Sequence, residues 1–141
     1  MAGQPQIPGV LSVDVTALEI SALGGIWMPM TIVAENESFD LGASFKGSGL
    51  VWQWLKNWGT SFRVSYFAEG IGLGPKEVDL GSTAPTALTA SNTYGPADTK
   101  LTVPGGTLTP GVYRIACILS FPGAPGLTGF FEQLVIEVYK P

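Results

Sequence analysis

Strict alternation of apolar and polar side chains is the feature that most narrows what this chain can become. Residues Phe39, Leu41, Ala43 and Phe45 interleave with Asp40, Gly42, Ser44 and Lys46. Successive side chains of a strand point to opposite faces, so this pattern describes a ribbon with one face in a core and the other in water. The same period returns in Leu11, Val13, Val15 and Ala17 against Ser12, Asp14 and Thr16. It returns again in Phe62, Val64 and Tyr66 against Arg63, Ser65 and Phe67, where both faces carry an aromatic ring. Further on, Tyr113, Ile115, Cys117, Leu119 and Phe121 share one face. The last such segment, residues 130–139, sets Leu134, Ile136 and Val138 opposite Phe131, Val135 and Tyr139 and is apolar on both sides. A strand of that kind is either covered by its own chain or offered to a partner.

The segments between these runs are built for chain reversal. Nineteen Gly and 11 Pro in 141 residues, with 13% charged side chains against about 25% in an ordinary domain, favour short strands joined by turns. The length suits one core. Residues 1–9, with Pro5, Pro8 and Gly9, lack periodicity and read as an extended arm, and residues 10–141 read as the folded domain. Residues 24–25 (Gly-Gly) end the first strand. Pro29 cannot donate a ladder hydrogen bond, so residues 28–33 are expected at a sheet edge or passing between sheets. Residues 70–75 form a Gly-rich loop and 77–80 a short strand. Residues 82–98 form a polar connection with room for one weak strand, and 100–103 pair into a sheet.

The hexapeptide Leu108-Thr109-Pro110-Gly111-Val112-Tyr113, opening a strand, resembles a tyrosine corner, and the number and spacing of strands resemble bacterial immunoglobulin-like or fibronectin-type domains over residues 10–139. The resemblance implies an all-β fold: a single immunoglobulin-like antiparallel β-sandwich of seven to eight strands with one short helix in a loop. The chain departs from antibody domains in having no cysteine pair, no Trp in the strand of Phe62 to Tyr66, and a Tyr113 that precedes Cys117 by four positions rather than two. A jelly roll is the rival sandwich.

Residue usage removes several chemistries. The chain has no His and one Cys, so no imidazole metal site, thiolate pair, Ser-His-Asp or Cys-His arrangement can be assembled within it. No catalytic residue, metal ligand or cofactor is expected. Cys117 reads as a buried, inert side chain. Carboxylates Glu35, Glu37 and Asp40 lack the spacing of a calcium loop and read as a solvated turn. Glu69 and Glu132 are of the type that pairs as glycosidase carboxylates, but two Glu in a domain are background. The glycines of residues 70–74 do not have phosphate-loop spacing. Seven scattered cations at a net charge of −4 argue against nucleic acid. No basic leader or long apolar run opens the sequence, so a cytoplasmic location is the default expectation.

Residues 47–59 break the strand pattern. Trp52, Trp54 and Trp58 lie in a candidate helix capped by Ser48 and Gly59. Helical spacing predicts Val51, Trp54, Leu55 and Trp58 on one face, with Gln53, Lys56 and Asn57 opposite and Trp52 near the apolar edge. Such a stripe either lids the sandwich or leaves Trp rings exposed for contact. The expected function is a non-catalytic interaction or self-assembly module, with a protein partner or homo-oligomer contacting Trp52, Trp54, Trp58, Phe131, Val135 and Tyr139. Stacking of the Trp rings on carbohydrate is the alternative. A membrane-surface role ranks third, because one cation in the helix attracts anionic lipid weakly.

Overall fold

The alternating runs become strands of two packed sheets in a computed structural model that describes residues 6–7, 10–22, 26–72, 77–124 and 127–141. In chain order the elements are β1 (Gln6–Ile7), β2 (Leu11–Ser21), β3 (Met30–Ala34), β4 (Phe39–Ser48), α1 (Leu50–Asn57), β5 (Ser61–Ile71), β6 (Val78–Ser82), β7 (Thr86–Ala87), β8 (Thr93–Tyr94), β9 (Leu101–Val103), β10 (Gly111–Ser120) and β11 (Thr128–Tyr139). Eight of these strands exceed two residues, within the expected number. The first sheet runs β1-β2-β4-β8, with β9 also on β4; the second runs β3-β11-β10-β5-β6, with β7 also on β5. Of the arm, Gln6 and Ile7 pair with β2. The rest of the arm, the Gly-Gly break at 24–25 and residues 73–76 of the Gly-rich loop lie outside the described residues.

Pro29 does what its missing N–H requires. Met28 exchanges hydrogen bonds of 2.8 and 2.9 Å with Ile20 of the first sheet, and from Met30 onward the chain pairs with β11 of the second. The proline sits between the two sheets, where no ladder bond is asked of it. Pairing of β3 with β11 is parallel, unlike the all-antiparallel expectation.

Two β-bulges change which side chains face the core. In β2 the register shifts between Val15 and Ala17, so Leu18 and Ile20 are buried and Ala17 leaves the core face on which strict alternation placed it. In β11 the register shifts opposite Ile115 and Cys117, pairing Leu134 with Ile115 but Phe131 with Cys117. Phe131 therefore packs toward the core and parts from Val135 and Tyr139, with which simple alternation grouped it. The sequence shows each shift as a change of phase, from odd to even apolar positions after Val15 and from Phe131 to Leu134.

The sheets have no disulfide, and hydrogen bonds on Thr99 join them instead. Strands β8 and β9 pair with the same edge of β4, leaving Ala43 between them. The buried Thr99, at the end of a short 3₁₀ turn (Pro96–Thr99), fills the gap: its Oγ1 donates to the Ala43 carbonyl at 2.7 Å and accepts from the Ala43 N–H at 2.7 Å. The hydroxyl of Tyr66, from β5 in the other sheet, donates to the Thr99 carbonyl at 2.7 Å. The expected tyrosine corner is also formed, Tyr113 donating to the Thr109 carbonyl at 2.8 Å. Thr99→Val keeps the shape and strips both Ala43 bonds. It should cost about 2–3 kcal/mol, against about 1–1.5 kcal/mol for Tyr66→Phe. Urea unfolding of both single variants and the double variant should show non-additive losses, and strict additivity would mean that the two hydroxyls act independently.

Candidate functional site

The helix that carries the tryptophans is rotated from its expected phase. Trp52 is fully buried and Leu55 nearly so, whereas Trp54 is 45% exposed, Trp58 72% and Leu50 55%. The core-facing side thus holds Trp52 and Leu55, and the outer side carries Leu50, Trp54 and Trp58 at i, i+4 and i+8, one continuous stripe. Leu50 was missed from the sequence, though its spacing from Trp54 and Trp58 was the signal.

Several local features fix that rotation. Gly49, not Ser48, is the N-cap; its φ of 100° is open to glycine, and a Cβ there would meet the Val10 carbonyl. The Val51 N–H donates to that same carbonyl at 2.8 Å, tying the first turn to the start of β2. At the other end Gly59, at φ 65°, closes the helix as expected: its N–H bonds the Lys56 carbonyl at 3.1 Å and the Thr60 N–H reaches Leu55 at 3.0 Å. The Trp52 ring lies where a side chain at Gly47 would stand, edge-on to Tyr94 and Phe121 with centroids 6.5 and 6.4 Å away. Its indole N–H donates to Asn92 Oδ1 at 3.0 Å, so burial leaves no polar group unpaired. Trp52 accordingly offers no contact surface, contrary to expectation, and supplies the inter-sheet Trp that β5 lacks.

Trp54 and Trp58 lean on one another, centroids 6.2 Å apart and planes 29° apart, and otherwise face water. Lys56, between them in sequence, is turned aside to the Ala90 carbonyl and Asn92 Oδ1. A cavity of about 460 Å³ beside the helix is lined by Gln53, Lys56, Asn57, Leu88, Thr89 and Ala90.

The terminal strand divides its expected contacts. Val135 lies on the outer side of the second sheet, in a cavity of about 370 Å³ shared with Ile32 and Val112. Tyr139 is 44% exposed. Phe131 instead borders β2 at Thr16 to Glu19, beside Pro29. Strand β11 has β10 on one side and, along Val135 to Tyr139, β3 on the other, so that stretch of its backbone is covered by its own chain.

Glu69 and Glu132 meet at one surface concavity, on strands that flank β10. Two of the three carboxylates of the calcium reading are engaged elsewhere: Glu37 accepts from the Ala34 N–H at 3.2 Å and Asp40 from the Thr102 hydroxyl at 2.6 Å. Among the described residues no three His, Cys, Asp or Glu gather as metal ligands, and no helix is long and apolar enough to cross a membrane. No protein-family model matches the chain, and neither does any curated protein sequence.

Cys117 is fully buried, and burial pushes its thiol up to about 12 from an ordinary value of about 9. Burial likewise raises Tyr66 far above the tyrosine range, outweighing the stabilising bonds to its hydroxyl. Neither is a nucleophile at neutral pH. Both keep their protons in the fold at pH values where the unfolded chain has lost them, so the unfolded state binds fewer protons and stability falls as pH rises. The urea midpoint should hold steady below about pH 9 and drop between about pH 9 and 12, with a shallower drop in Cys117→Ala. A midpoint flat through that window would contradict the buried, protonated assignment.

Proposed function

We propose that this chain is a non-catalytic module of immunoglobulin-like type that works by binding a protein surface, another copy's or a different protein's, through α1. Support for the fold type comes from the succession β11-β10-β5-β6, which resembles the G-F-C-C′ sheet of variable-type domains, and from the tyrosine corner on β10. The observation that carries the functional reading is the stripe Leu50, Trp54 and Trp58. Three large apolar side chains stand in water on a helix whose inner face already has Trp52 and Leu55 to hold it to the core. Apolar anchors at helical spacing, two of them Trp, have the composition of interface hot spots. Absence of His and the protonated state of Cys117 and Tyr66 remove common nucleophiles and bases, which supports a role exercised through surfaces.

Light scattering on a sizing column, from about 1 µM to about 1 mM, should give a mass rising above the 14.8 kDa of one chain. Trp54→Ser combined with Trp58→Ser should hold the mass at one chain without lowering the thermal midpoint, since neither ring supports the core. A single-chain mass throughout would remove self-assembly and leave a different protein as the partner.

Carbohydrate binding is the second reading, favoured by the polar cavity at Gln53, Asn57 and Thr89 alongside the exposed rings. Amide groups and an indole face are what a sugar ring requires of a site. Trp emission should then shift on titration with soluble polysaccharides in the intact protein and not in Trp58→Ala. No shift across a broad glycan panel would discard it.

A further inference from the structure

The two sheets treat solvent differently. The outer side of the first is hydrophilic, with Ser12, Asp14 and Glu19 on β2 and Ser44, Lys46 and Ser48 on β4. The outer side of the second holds Phe67 on β5, Ala116 and Ile118 on β10, and Phe130 on β11, which together line a concavity of about 290 Å³. Further along the same two strands β10 and β11, past Arg114, lies the cavity at Ile32, Val112 and Val135. These residues occupy the off-core phase of their strands, where a solvated sheet would carry polar side chains. Three strands of 11, 10 and 12 residues and two of 5, at about 3.3 Å per residue and about 4.8 Å between strands, make a face of roughly 700 Å², near the ~800 Å² that each partner gives to an ordinary stable interface.

Charge decides between occupants. Glu69, Glu77 and Glu132 border the Phe67 concavity, and none of the three carboxylates bonds to a described residue. Asp79, opposite Phe67, and Glu137, opposite Val112, add two more on the same side, against Arg63 and Arg114. A second copy laid on this face would set carboxylates against carboxylates. A partner with positive charge around apolar side chains meets no such conflict, and its cations would face a rim on which, among the described residues, five carboxylates outnumber the two Arg.

We propose that the outer face of the β3-β11-β10-β5-β6 sheet docks a basic, apolar polypeptide segment, seating its apolar side chains over Phe67, Ile118 and Phe130 and its Lys or Arg side chains against Glu69, Glu77 and Glu132. This face is separate from the α1 stripe, so the two surfaces stand or fall independently.

The test is calorimetric titration of the full chain with a peptide of alternating leucine and lysine. Peptides of alternating leucine and glutamate, and of alternating serine and lysine, are the controls. The Leu/Lys peptide should bind, several-fold more weakly as salt rises from about 50 to about 300 mM, and the controls at least tenfold more weakly. Glu69→Lys with Glu132→Lys should lose at least tenfold, as should Phe67→Ser with Ile118→Ser. Trp54→Ser with Trp58→Ser should bind like the parent. All substituted groups are outside the core, and the charge-reversed pair keeps the question open to an answer if the serine pair folds poorly. Equal binding of the Ser/Lys peptide, no binding of the Leu/Lys peptide, or indifference to both variant pairs would overturn the proposal. So would a dimer that Phe67→Ser with Ile118→Ser dissolves, since the occupant would then be a second copy.

Discussion

Thr99 is the residue on whose hydrogen bonds the arrangement of the two sheets depends. A sandwich without a disulfide still has to keep its layers in register, and apolar packing is non-directional. Thr99 supplies direction: it completes the edge of β4 through both polar groups of Ala43 and passes its own carbonyl to Tyr66 of the facing sheet. All of these groups are withdrawn from water, so each bond is strong while made and costly when broken. Gly42 cooperates, because a side chain there would overlap the backbone of Pro96 and lift the turn that delivers Thr99.

Trp52 is the apolar counterpart. Antibody domains set a Trp from a strand between the sheets; here the ring arrives from α1, enters the slot left by Gly47 and joins Phe45, Phe62, Tyr94 and Phe121 in one aromatic cluster. Once Trp52 and Leu55 are committed inward, the 100° step of a helix forces Leu50, Trp54 and Trp58 outward. The exposed stripe is therefore not a fault in packing. It follows from anchoring the helix by a different side, and the core would be held equally well with polar residues at all three positions.

What could be read from the sequence followed the strength of local periodicity. The faces of β4, β5 and β10 were legible because no bulge interrupts their apolar phase, and Pro29 and Tyr113 because each has a backbone consequence that needs no tertiary context. Phe131 and Ala17 were misplaced because a bulge is a one-residue event that alternation alone averages over. The helix phase was misread because Val51, Trp54, Leu55 and Trp58 make as good a stripe as Trp52 and Leu55; only the Gly47 slot, formed by a neighbouring strand, distinguishes them. Residues 82–98 read as a polar connection with room for one weak strand, yet they hold β7, β8 and most of the turn to Thr99, and bury Leu88 and Tyr94. Their order comes from pairing with distant strands, which no local pattern carries. The concavity at Phe67, Ile118 and Phe130 was half visible, as an aromatic on each face of β5, but its acidic rim is assembled from three separate strands or loops.

Where the ionisable and reactive groups sit bears on what kind of work the fold can do. Cys117 and Tyr66, the side chains with the most reactive character, are held protonated in the core by the same burial that stabilises it. The carboxylates of Glu69, Glu77 and Glu132 stand at the surface, beside the apolar side chains of one concavity. Chemistry of bond-breaking asks for the reverse, a reactive group exposed to substrate and shielded from water. Recognition asks for apolar area bordered by charge, because area supplies attraction and the charged border selects the partner. The stripe on α1 provides the first without the second, as Lys56 is turned away to Asn92. The second sheet provides both. In the two proposals made above, the uncharged anchor on the helix beside one sheet and the charged, apolar face on the other would hold two different surfaces, with the sandwich between them setting their separation.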